Sequence, residues 1–367
     1  MIPISRPALG QDEEHAVLEV MRSGQLAQGE RVRRFEEAFA QATGGGFAVA
    51  TSSGSSALFL ALLAHGIGPG DEVITSPLTF IATANAIVHT GATPVFADVD
   101  DSLNLSLEAV SRLITPRTKC IMPVHLHGNP CDLVWLGEFA VRHGFIVVQD
   151  ACQAIGATVA GQPLGTYGTA AYSFYATKNL TTGEGGMVTT NDSRVAELCA
   201  SLRHQAYADK PYMHERVGFN FRMTEMQAAI GLVQVNRLAF ITERRRRIAS
   251  YYDEVIPPER FRRPRTAPDA GHVYHQYTVR VSSSAGGFRG GRDRDELRQS
   301  LSQAGIGTGV YYPVPIHRQP AYHMYEATRC PEAERASDDM FSIPVHHSLS
   351  DAEVETIGTE MRRLCDA

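Results

Sequence analysis

The sequence predicts an α/β protein in which a mixed, mainly parallel sheet of seven strands is followed by a smaller α+β domain. Seven short apolar segments, bounded by Gly, Pro or Asp, recur between residues 47 and 191. Such segments are typical of buried strands. Between most of the first five lie helix-like stretches such as SSALFLALLAHG and DLVWLGEFAVRHG. This alternation is expected of a parallel sheet that helices cover on both faces.

The seven predicted strands are FAVATS, EVITS, TPVFADV, KCIMPVHL, FIVVQD, AAYSFYA and GGMVTTN. The last two are separated by too little chain for a crossover helix, so we expect them to pair antiparallel. A long helix is predicted to begin at Thr224, which forms a capping box with Gln227, and to run through the arginines at 244–247. We expect these arginines to lie on a solvated helix face, and we assign them no function.

The length of 367 residues favours two domains, because about 150 residues per domain is usual. We expect a large domain over residues 1–245 and a small domain over 246–367. The small domain should contain the strand HQYTVRVSS, a helix from near Asp293, the loop YYPVPIHRQP and a closing helix capped at Ser350. The segment AGGFRGGR at 285–292 is interpreted as a surface turn, since it lacks the Gly-Lys-Ser/Thr ending of a nucleotide-binding loop.

Composition and charge exclude several classes of function. With 34 basic and 40 acidic residues the net charge is −6, so no global charge favours nucleic acid or an anionic membrane. No apolar run approaches the ~18 residues of a spanning helix, and the N-terminus lacks a basic segment followed by an apolar one. We expect a cytoplasmic protein with no nucleic-acid or membrane partner. The six cysteines include no Cys-x-x-Cys pair, which predicts reduced thiols.

Three features predict a ligand site at one edge of the sheet. A strand runs into the helix start SGSS at 53–56, where free backbone N–H groups and the helix dipole can hold a phosphate. Asp150 ends a probable central strand, and Lys178 follows another, beside Ser173 and a glycine-rich stretch. Each feature alone has a simpler explanation, because the serines or the acid can cap a helix and the lysine can be solvated.

Together the three features match the chemical handles of pyridoxal 5'-phosphate. Its phosphate needs hydrogen-bond donors, its ring nitrogen needs an acid to stay protonated, and its aldehyde forms a Schiff base with a lysine amine. Phe80, in SPLTFIATAN, offers a flat apolar surface for the pyridine ring, with core packing as the alternative. The set therefore predicts a pyridoxal-phosphate enzyme.

Longer motifs carry a family resemblance over most of the chain. They are SSGSSALFLAL, GDEVITSPLTFIATANAI, GATPVFADVD, TKCIMPVHLHGNPCDL, QDACQAIGA, FYATKNLTTGEGGMVTTND, GFNFRMTEMQAAIG and YYPVPIHRQPAY. On these motifs the chain resembles the DegT/DnrJ/EryC1/StrS family of sugar aminotransferases, pyridoxal-phosphate enzymes of the aspartate-aminotransferase fold (fold type I). Ser55 stands where Thr is usual, Cys152 where Ala is usual and Ala176 where Pro is frequent, and none of these removes a required group.

The resemblance implies a role for each matching residue. Lys178 corresponds to the lysine that forms the Schiff base and then moves the proton between the substrate and cofactor carbons, and Asp150 to the acid that faces the pyridine nitrogen. Lysine at this position also argues against the branch of the family that has histidine there and performs dehydration. The other cofactor contacts implied are Gly54, Ser55 and Ser173 at the phosphate, Phe80 on the ring, Gln153 beside the phenolic oxygen, and Asn220 at the phosphate of the neighbouring subunit. The last contact implies a homodimer with shared active sites.

The reaction implied by the resemblance moves an amino group from L-glutamate to a keto sugar on a nucleoside diphosphate, a step of amino sugar biosynthesis. GFNFRMTEMQAA and TTGEGG are more similar to members that act on 4-keto-6-deoxyhexoses, which we favour over a 3-keto sugar or a keto-cyclitol. No metal is predicted, because HLH at 125–127 has no third ligand at usable spacing. The residues that could line the sugar site are His125, His127, Arg222, Tyr311 and His317.

Two other functional classes deserve comparison. A nicotinamide oxidoreductase would share the doubly wound sheet, but SSGSS is not Gly-x-Gly-x-x-Gly and no acid ends a second strand at the needed place. A non-catalytic regulatory protein on the same fold would be recognised by loss of Lys178 or Asp150. Both residues are present.

Overall fold

Helices and strands alternate along the first half of the chain, as the spacing of its apolar segments predicts. The computed structural model describes residues 1–207, 212–282 and 291–365. The strands are β1 (Phe47–Thr51), β2 (Glu72–Thr75), β3 (Thr93–Phe96), β4 (Thr118–Met122), β5 (Ile146–Asp150), β6 (Thr158–Val159), β7 (Gln162–Pro163), β8 (Thr169–Ser173), β9 (Gly186–Thr190), β10 (Phe261–Arg262), β11 (Ala270–Gly271), β12 (Tyr277–Val281) and β13 (Met340–Ile343). The helices are α1 (Gln11–Ser23), α2 (Glu30–Thr43), α3 (Gly54–Ala64), α4 (Ala82–His89), α5 (Leu107–Arg112), α6 (Leu133–His143), α7 (Ser193–Arg203), α8 (Glu225–Asn236), α9 (Leu238–Val255), α10 (Gly291–Gln303), α11 (Pro331–Asp339) and α12 (Asp351–Arg363).

The large sheet confirms the predicted fold class. Its seven strands lie in the order β1-β9-β8-β5-β4-β2-β3. The pairs from β8 through β5, β4 and β2 to β3 are parallel, whereas β9 pairs antiparallel with both β8 and β1. The predicted antiparallel pairing of AAYSFYA with GGMVTTN is therefore confirmed, and β1 forms a second antiparallel pair at the edge of the sheet.

Two apolar layers cover the two faces of this sheet. Along β8, Ala170 and Tyr172 belong to one core and Ala171 to the other, which is the two-residue alternation of a strand buried on both sides. The first layer is centred on an aromatic cluster in which the Phe39 ring lies 5.0 Å from Tyr172 and 5.1 Å from Phe174, centroid to centroid. The second layer is formed largely by α3, α4 and α7.

The third core lies in the C-terminal part of the chain, where β10, β12 and β13 form a small sheet. The division predicted at residue 245 falls inside α9, whose residues from Ile248 onward pack in this third core. The N-terminal residue Ile2 also packs against it and bridges to Ile306. The domain ranges 1–245 and 246–367 stay a prediction, to which the structure adds this contact from the N-terminus.

The helix predicted to run from Thr224 through the arginines is wrong in one respect, because it is two helices. The capping box of Thr224 and Gln227 is present at the start of α8. The two helices meet at Arg237, whose guanidinium binds Asp12 and Glu13 of α1. The junction of the two helices is thus anchored to α1.

The prediction that the arginines at 244–247 lie on a solvated face is wrong for Arg245. Its side chain is buried, at 3% exposure, and its guanidinium donates to the carbonyl of Tyr274 at 2.9 Å. Arg244 donates to Asp351 at 2.6 Å, whereas Arg247 is exposed as expected. Chain segments pack against more than one side of α9, which the local charge pattern does not reveal.

Other sequence expectations agree with the structure. The capping box at Ser350 is present at the start of α12, and all six cysteines are free thiols. The predicted strand HQYTVRVSS corresponds to β12. The surface turn predicted at 285–292 lies outside the described residues as far as 290, after which α10 begins at Gly291. In the part of the chain that the structure describes, no helix has the length and apolar character needed to cross a membrane.

A substitution at Gly186 tests how tightly the start of β9 packs against the turn before α3. A Cβ at this position would overlap the Ser53 carbonyl oxygen and lie 2.7 Å from Gly54 N, so the backbone must shift. We expect Gly186→Ala to lower the free energy of unfolding by about 1–3 kcal/mol, as overpacking does. Gly137→Ala is the matched control, since its Cβ in α6 would meet nothing within 4 Å. The measurement is denaturant unfolding of both variants, and equal stability of the two would contradict this packing.

Candidate active site

A pocket of about 500 Å³ opens where β5 and β8 end. The strand ends and the start of α3 line one part of the pocket, and residues 275–276 and 311–312 line another. Eight residues predicted from the sequence line this one pocket: Gly54, Ser55, Phe80, Asp150, Gln153, Ser173, Lys178 and Tyr311. Residues more than 250 positions apart in the sequence are therefore brought together by the fold.

The start of α3 provides an anion-binding cradle. The Ser53 side chain caps the helix by accepting a hydrogen bond from Ser56 N at 3.1 Å, which leaves the N–H groups of Gly54 and Ser55 without helical partners. A Cβ at Gly54 would lie 2.6 Å from Ser173 Cβ and 3.1 Å from its Oγ. Glycine at this position therefore lets the Ser173 hydroxyl lie beside the helix start, where it and the two N–H groups can bind one phosphate.

Asp150 is the last residue of β5 and is 4% exposed. Its Oδ2 accepts a hydrogen bond from Thr83 Oγ1 at 2.7 Å, and its Oδ1 accepts one from Cys152 N at 3.1 Å. These two donors fix the carboxylate at the pocket wall. No ion pair joins Asp150 to a side chain of the described residues. The site thus presents a buried acid that can bind a cationic group of a ligand.

Lys178 follows β8 on a turn in which its backbone N donates to Tyr175 O at 2.9 Å. Burial lowers the pKa of its amine, while Cys152 and Asp150 act in the opposite direction. Within residues 1–207, 212–282 and 291–365, its Nζ forms no hydrogen bond or ion pair. The structure therefore presents a lysine that burial shifts toward the neutral amine, which is the form that attacks an aldehyde.

Phe80 and Cys152 also line the part of the pocket near Asp150. Phe80 is 56% exposed, which excludes the core-packing alternative and leaves its ring free to cover a flat ligand. Its centroid lies 6.1 Å from that of Tyr312. Burial and the neighbouring Asp150 raise the pKa of the Cys152 thiol well above its ordinary value, so this departure from the family pattern adds a neutral thiol.

Gln153 links the pocket to the loop that contains Tyr311 and Tyr312. Its Oε1 accepts a hydrogen bond from His127 N at 2.8 Å, and its Nε2 donates to the Tyr312 hydroxyl at 3.3 Å. The His127 ring lies 3.0 Å from the Tyr311 carbonyl through Nε2, and burial lowers its pKa to about 4. His127 thus holds the loop in place, while the Tyr311 side chain lines the pocket.

His125 and His317 do not reach the pocket, contrary to the expectation that they line the sugar site. Both side chains are fully buried. His125 accepts a hydrogen bond from Cys131 N at 2.9 Å and contacts Gln149 Oε1 at 3.1 Å, so both of its ring nitrogens are used. His317 binds Glu334 at 2.9 Å. Each histidine stabilises a loop through these bonds, and no face of either ring is open to a ligand.

Asn220 and Arg222 lie outside the pocket lining as well. Asn220 is exposed, and its Oδ1 accepts a hydrogen bond from Arg222 Nε at 3.0 Å. Arg222 also binds His204 Nδ1 at 2.9 Å. The two residues form an outward-facing polar pair, so a contact with the site of a neighbouring subunit stays a prediction for Asn220, and a sugar contact stays one for Arg222.

Several residues of the pocket were not predicted from the sequence, among them Thr83, His275, Gln276 and Tyr312. Thr83 lies within the motif that supplied Phe80, where hydroxyls are easily taken for helix-capping groups. His275 and Gln276 open HQYTVRVSS, which was interpreted only as a strand. No local signal in the sequence distinguishes these two residues, because they precede the amino end of an antiparallel strand, whereas the rule for ligand sites concerns the carboxyl ends of parallel strands.

A sequence model described as the DegT/DnrJ/EryC1/StrS aminotransferase family matches residues 7–362. The chain belongs to this family. It is 40% identical to the pleiotropic regulatory protein of Geobacillus stearothermophilus, over 92% of this chain and 90% of that one. It is 39% identical to the GDP-perosamine synthase of Caulobacter vibrioides, over 97% and 96%. It is 38% identical to the UDP-N-acetyl-3-dehydro-alpha-D-glucosamine 3-aminotransferase of Acidithiobacillus ferrooxidans, over 91% and 89%.

Solved structures show the same relationship. DesV of S. venezuelae, whose crystal structure contains a ketimine intermediate, superposes with a TM-score of 0.90 at 38% identity, covering 97% of this chain and 94% of that one. The sugar aminotransferase CalS13 of Micromonospora echinospora gives 0.91 at 30%, covering 99% and 100%. The protein is therefore a pyridoxal-phosphate-dependent transaminase of the sugar aminotransferase family.

The described residues fit pyridoxal 5'-phosphate on chemical grounds. The cradle at Gly54, Ser55 and Ser173 supplies donors for a phosphate. Asp150 is a buried acid without an ion pair in the described chain, and the Lys178 amine has no hydrogen-bond partner there. Buried polar groups normally have partners. An acid without a cation and an amine without a hydrogen bond, in one pocket, are what a ligand with both a cationic nitrogen and an aldehyde would satisfy.

The lowered pKa of Lys178 predicts a pH profile in the cofactor-free protein. Burial disfavours the ammonium form, so half of the amine should be neutral at a pH below the ordinary lysine value of about 10.4. The measurement is reductive methylation by formaldehyde and cyanoborohydride at several pH values, with peptide mass spectrometry to resolve Lys178 and free N-acetyl-lysine as the reference. A half-maximal rate at Lys178 at the same pH as the reference would contradict the assigned burial.

Proposed function

We propose that the protein transfers the amino group of L-glutamate to a keto sugar linked to a nucleoside diphosphate, and that this sugar is a 4-keto-6-deoxyhexose. The observation that carries the proposal is that Lys178, Asp150 and the cradle at the start of α3 line one pocket. A sugar aminotransferase needs these three groups around a single cofactor. The donor is the one that the family resemblance implies, and the acceptor is supported by the sequence motifs and by the names of the relatives.

The cofactor contacts follow from the geometry of the pocket. Gly54, Ser55 and Ser173 would hold the phosphate of pyridoxal 5'-phosphate, and Phe80 would cover its ring. Asp150 would bind the ring nitrogen, Lys178 the aldehyde carbon, and Gln153 would lie near the phenolic oxygen. When bound, the cofactor supplies an electron sink for the pair of electrons left behind as a substrate carbon loses its proton.

Lys178 and Asp150 have different tasks in the reaction. The Lys178 amine would remove the proton from the donor carbon and return a proton later, since a lysine with a lowered pKa can act as a general base. Asp150 keeps the proton on the ring nitrogen through a charge-assisted hydrogen bond, which stabilises the transition state more than the ground state. Thr83 keeps that carboxylate in position.

The acceptor is inferred from two kinds of observation. Two relatives bear names that contain GDP or UDP sugars, which supports a nucleotide-linked substrate. The motifs GFNFRMTEMQAA and TTGEGG support a 4-keto sugar, whereas the relative named as a 3-aminotransferase supports a 3-keto sugar as the alternative. A keto-cyclitol is the remaining alternative. Tyr311 and Glu184 line the same pocket as Lys178 and offer hydroxyl and carboxylate groups to a sugar.

The direct test uses the purified protein with pyridoxal 5'-phosphate. Addition of L-glutamate should replace the visible absorption of the lysine-bound cofactor by that of the amine form, with equimolar release of 2-oxoglutarate. A panel of nucleotide-linked 4-keto and 3-keto sugars and of keto-cyclitols, with product NMR, then locates the new amino group. A protein that remains unchanged with L-glutamate contradicts the proposed donor, and a nitrogen found at C3 contradicts the proposed acceptor.

Variants of Lys178 and Asp150 separate their two roles. Lys178→Ala should lower kcat by about 10²–10⁴-fold or more, since the general base is lost. Asp150→Asn keeps the shape but removes the charge, and should lower kcat on the order of 10²-fold. Lys119→Ala is the control, because this lysine is exposed and outside the pocket. The measurement is steady-state transamination, and normal turnover by either pocket variant would contradict its assigned role.

The implied sharing of sites can be tested by subunit complementation. If Asn220 contacts the phosphate in the neighbouring subunit, Lys178→Ala and Asn220→Ala affect different subunits of each site. Both homodimers should be weakly active. A heterodimer purified through two affinity tags should recover about half of the wild-type activity per dimer, because one of its two sites is intact. A heterodimer as weak as the homodimers would contradict a shared site.

A further inference from the structure

The segment of residues 272–276, which leads into β12, is fixed by two arginines of α9. Arg246 Nε donates to the carbonyl of His272 at 2.9 Å. Arg245 Nη1 donates to the carbonyl of Tyr274 at 2.9 Å. The segment has no regular secondary structure of its own, so these bonds to its carbonyl groups hold its backbone in place. The arginine run in the sequence therefore anchors this segment.

The same segment is bound from the other side by residues near the cofactor pocket. Asn179 Nδ2 donates to Val273 O at 3.0 Å, and Val273 N donates to Gly128 O at 3.0 Å. Gln276 N donates to His127 O at 3.2 Å. The backbone is thus held between α9 and the turn that follows Lys178.

Arg245 is a buried cation that binds carbonyl groups. Its side chain is 3% exposed, and burial lowers its pKa to about 9. Besides the carbonyl of Tyr274 it donates to that of His275 at 3.4 Å, and no ion pair joins it to a carboxylate within the described residues. A buried charge costs stability unless it is hydrogen-bonded, so its contribution here is to hold these two carbonyls.

His275 lines the cofactor pocket and is 8% exposed. Its Nδ1 lies 3.4 Å from Asn179 Oδ1. Because Asn179 uses its Nδ2 to bind Val273, the amide oxygen faces the ring, and Nδ1 must be the donor. Burial lowers the pKa of His275 well below its ordinary value, and the charges of Lys178 and Arg245 add to that effect.

The neutral ring with a proton on Nδ1 has a lone pair on Nε2. In the described chain no donor binds this Nε2, although the other ring nitrogen and both flanking carbonyls have partners. His275 is more than nine-tenths buried and lines the pocket, so the free Nε2 acceptor is available to a group bound there.

We propose that His275 accepts, through Nε2, a hydrogen bond from a hydroxyl or amino group of the bound substrate, and that Arg245 is the positioning residue that holds it there. The inference rests on the proposed function for the identity of the two substrates, the amino donor and the keto sugar. It adds to the site a residue that touches substrate and connects the arginine run of α9 to the reaction.

Two substitutions of similar size distinguish substrate binding from a structural role. His275→Gln places an amide oxygen near the position of Nε2, whereas His275→Asn keeps a polar group near Nδ1 and removes the Nε2 acceptor. We expect kcat/KM to fall about tenfold in His275→Asn, as for one lost hydrogen bond. His275→Gln should retain most of the wild-type kcat/KM. The opposite order, with similar thermal midpoints, would show that the Nδ1 bond alone matters and would overturn the proposal.

Two arms of the experiment identify the donor group. In the first, L-glutamate is titrated against the cofactor-loaded protein in single turnovers. In the second, the amine form of the protein is titrated with the best keto sugar of the panel. If His275→Asn loses affinity for L-glutamate alone, the hydrogen bond belongs to the amino donor. If it loses affinity for the keto sugar alone, the bond belongs to the sugar. Unchanged affinity in both arms would overturn the proposal.

A readout without cofactor separates this inference from the proposed function. In the cofactor-free protein labelled with ¹⁵N-histidine, the signal missing in His275→Asn should be that of a neutral ring with its proton on Nδ1. A proton on Nε2 would overturn the proposal, whatever the substrates are. Failure of L-glutamate to react, with the expected tautomer present, would instead count against the proposed donor alone.

The positioning role of Arg245 requires its own variant. Arg245→Lys retains the charge but offers fewer donors to the two carbonyls, and Arg245→Gln is the second choice if that protein does not fold. We expect either to reduce kcat/KM as His275→Asn does, with no further loss in the double variant, because both act through one hydrogen bond. Losses that multiply in the double variant would show that Arg245 does not act through His275.

Discussion

The parallel pairing of β5 with β8 is the constraint on which the active site depends. Asp150 pairs with Ala171 at the ends of these strands, and the chain that leaves β8 reaches Lys178 a few residues later. Because side chains alternate along a strand, a shift of one residue in this register would turn Asp150 to the other face of the sheet. The apolar residues of β8, buried in both cores, fix that register.

Two charged side chains of the pocket lack an opposite charge in the described chain. Asp150 is held by two donors yet has no ion pair, and Lys178 has neither hydrogen bond nor ion pair, in the chain as described. Such groups reduce the stability of the folded protein. Ligand binding to the folded state alone would restore part of that stability.

Several elements could be predicted from the sequence because their signals are local. Short apolar segments bounded by Gly, Pro or Asp identified the strands of the large sheet. The short connection between β8 and β9 implied antiparallel pairing, and the helix caps at Thr224 and Ser350 are formed as expected. Lys178 and Asp150 were recognisable because each follows or ends a buried strand, where ligands bind in α/β sheets.

Other elements depend on tertiary contacts that no local pattern reveals. The sequence does not distinguish a histidine that is buried for structural reasons from one that lines a pocket. His125 and His317 were therefore assigned to the sugar site although both are fully buried. The burial of Arg245 was missed for the same reason, because it lies on a helix with charged neighbours but is covered by the segment before β12. His275 was overlooked because its role depends on Asn179, nearly a hundred residues earlier in the chain.

The most direct test of the account is a crystal structure of the protein with pyridoxal 5'-phosphate. The account predicts a covalent bond from Lys178 Nζ to the aldehyde carbon, with the ring nitrogen about 3 Å from the Asp150 carboxylate. A cofactor attached to another lysine, or one whose ring nitrogen lies away from Asp150, would contradict it.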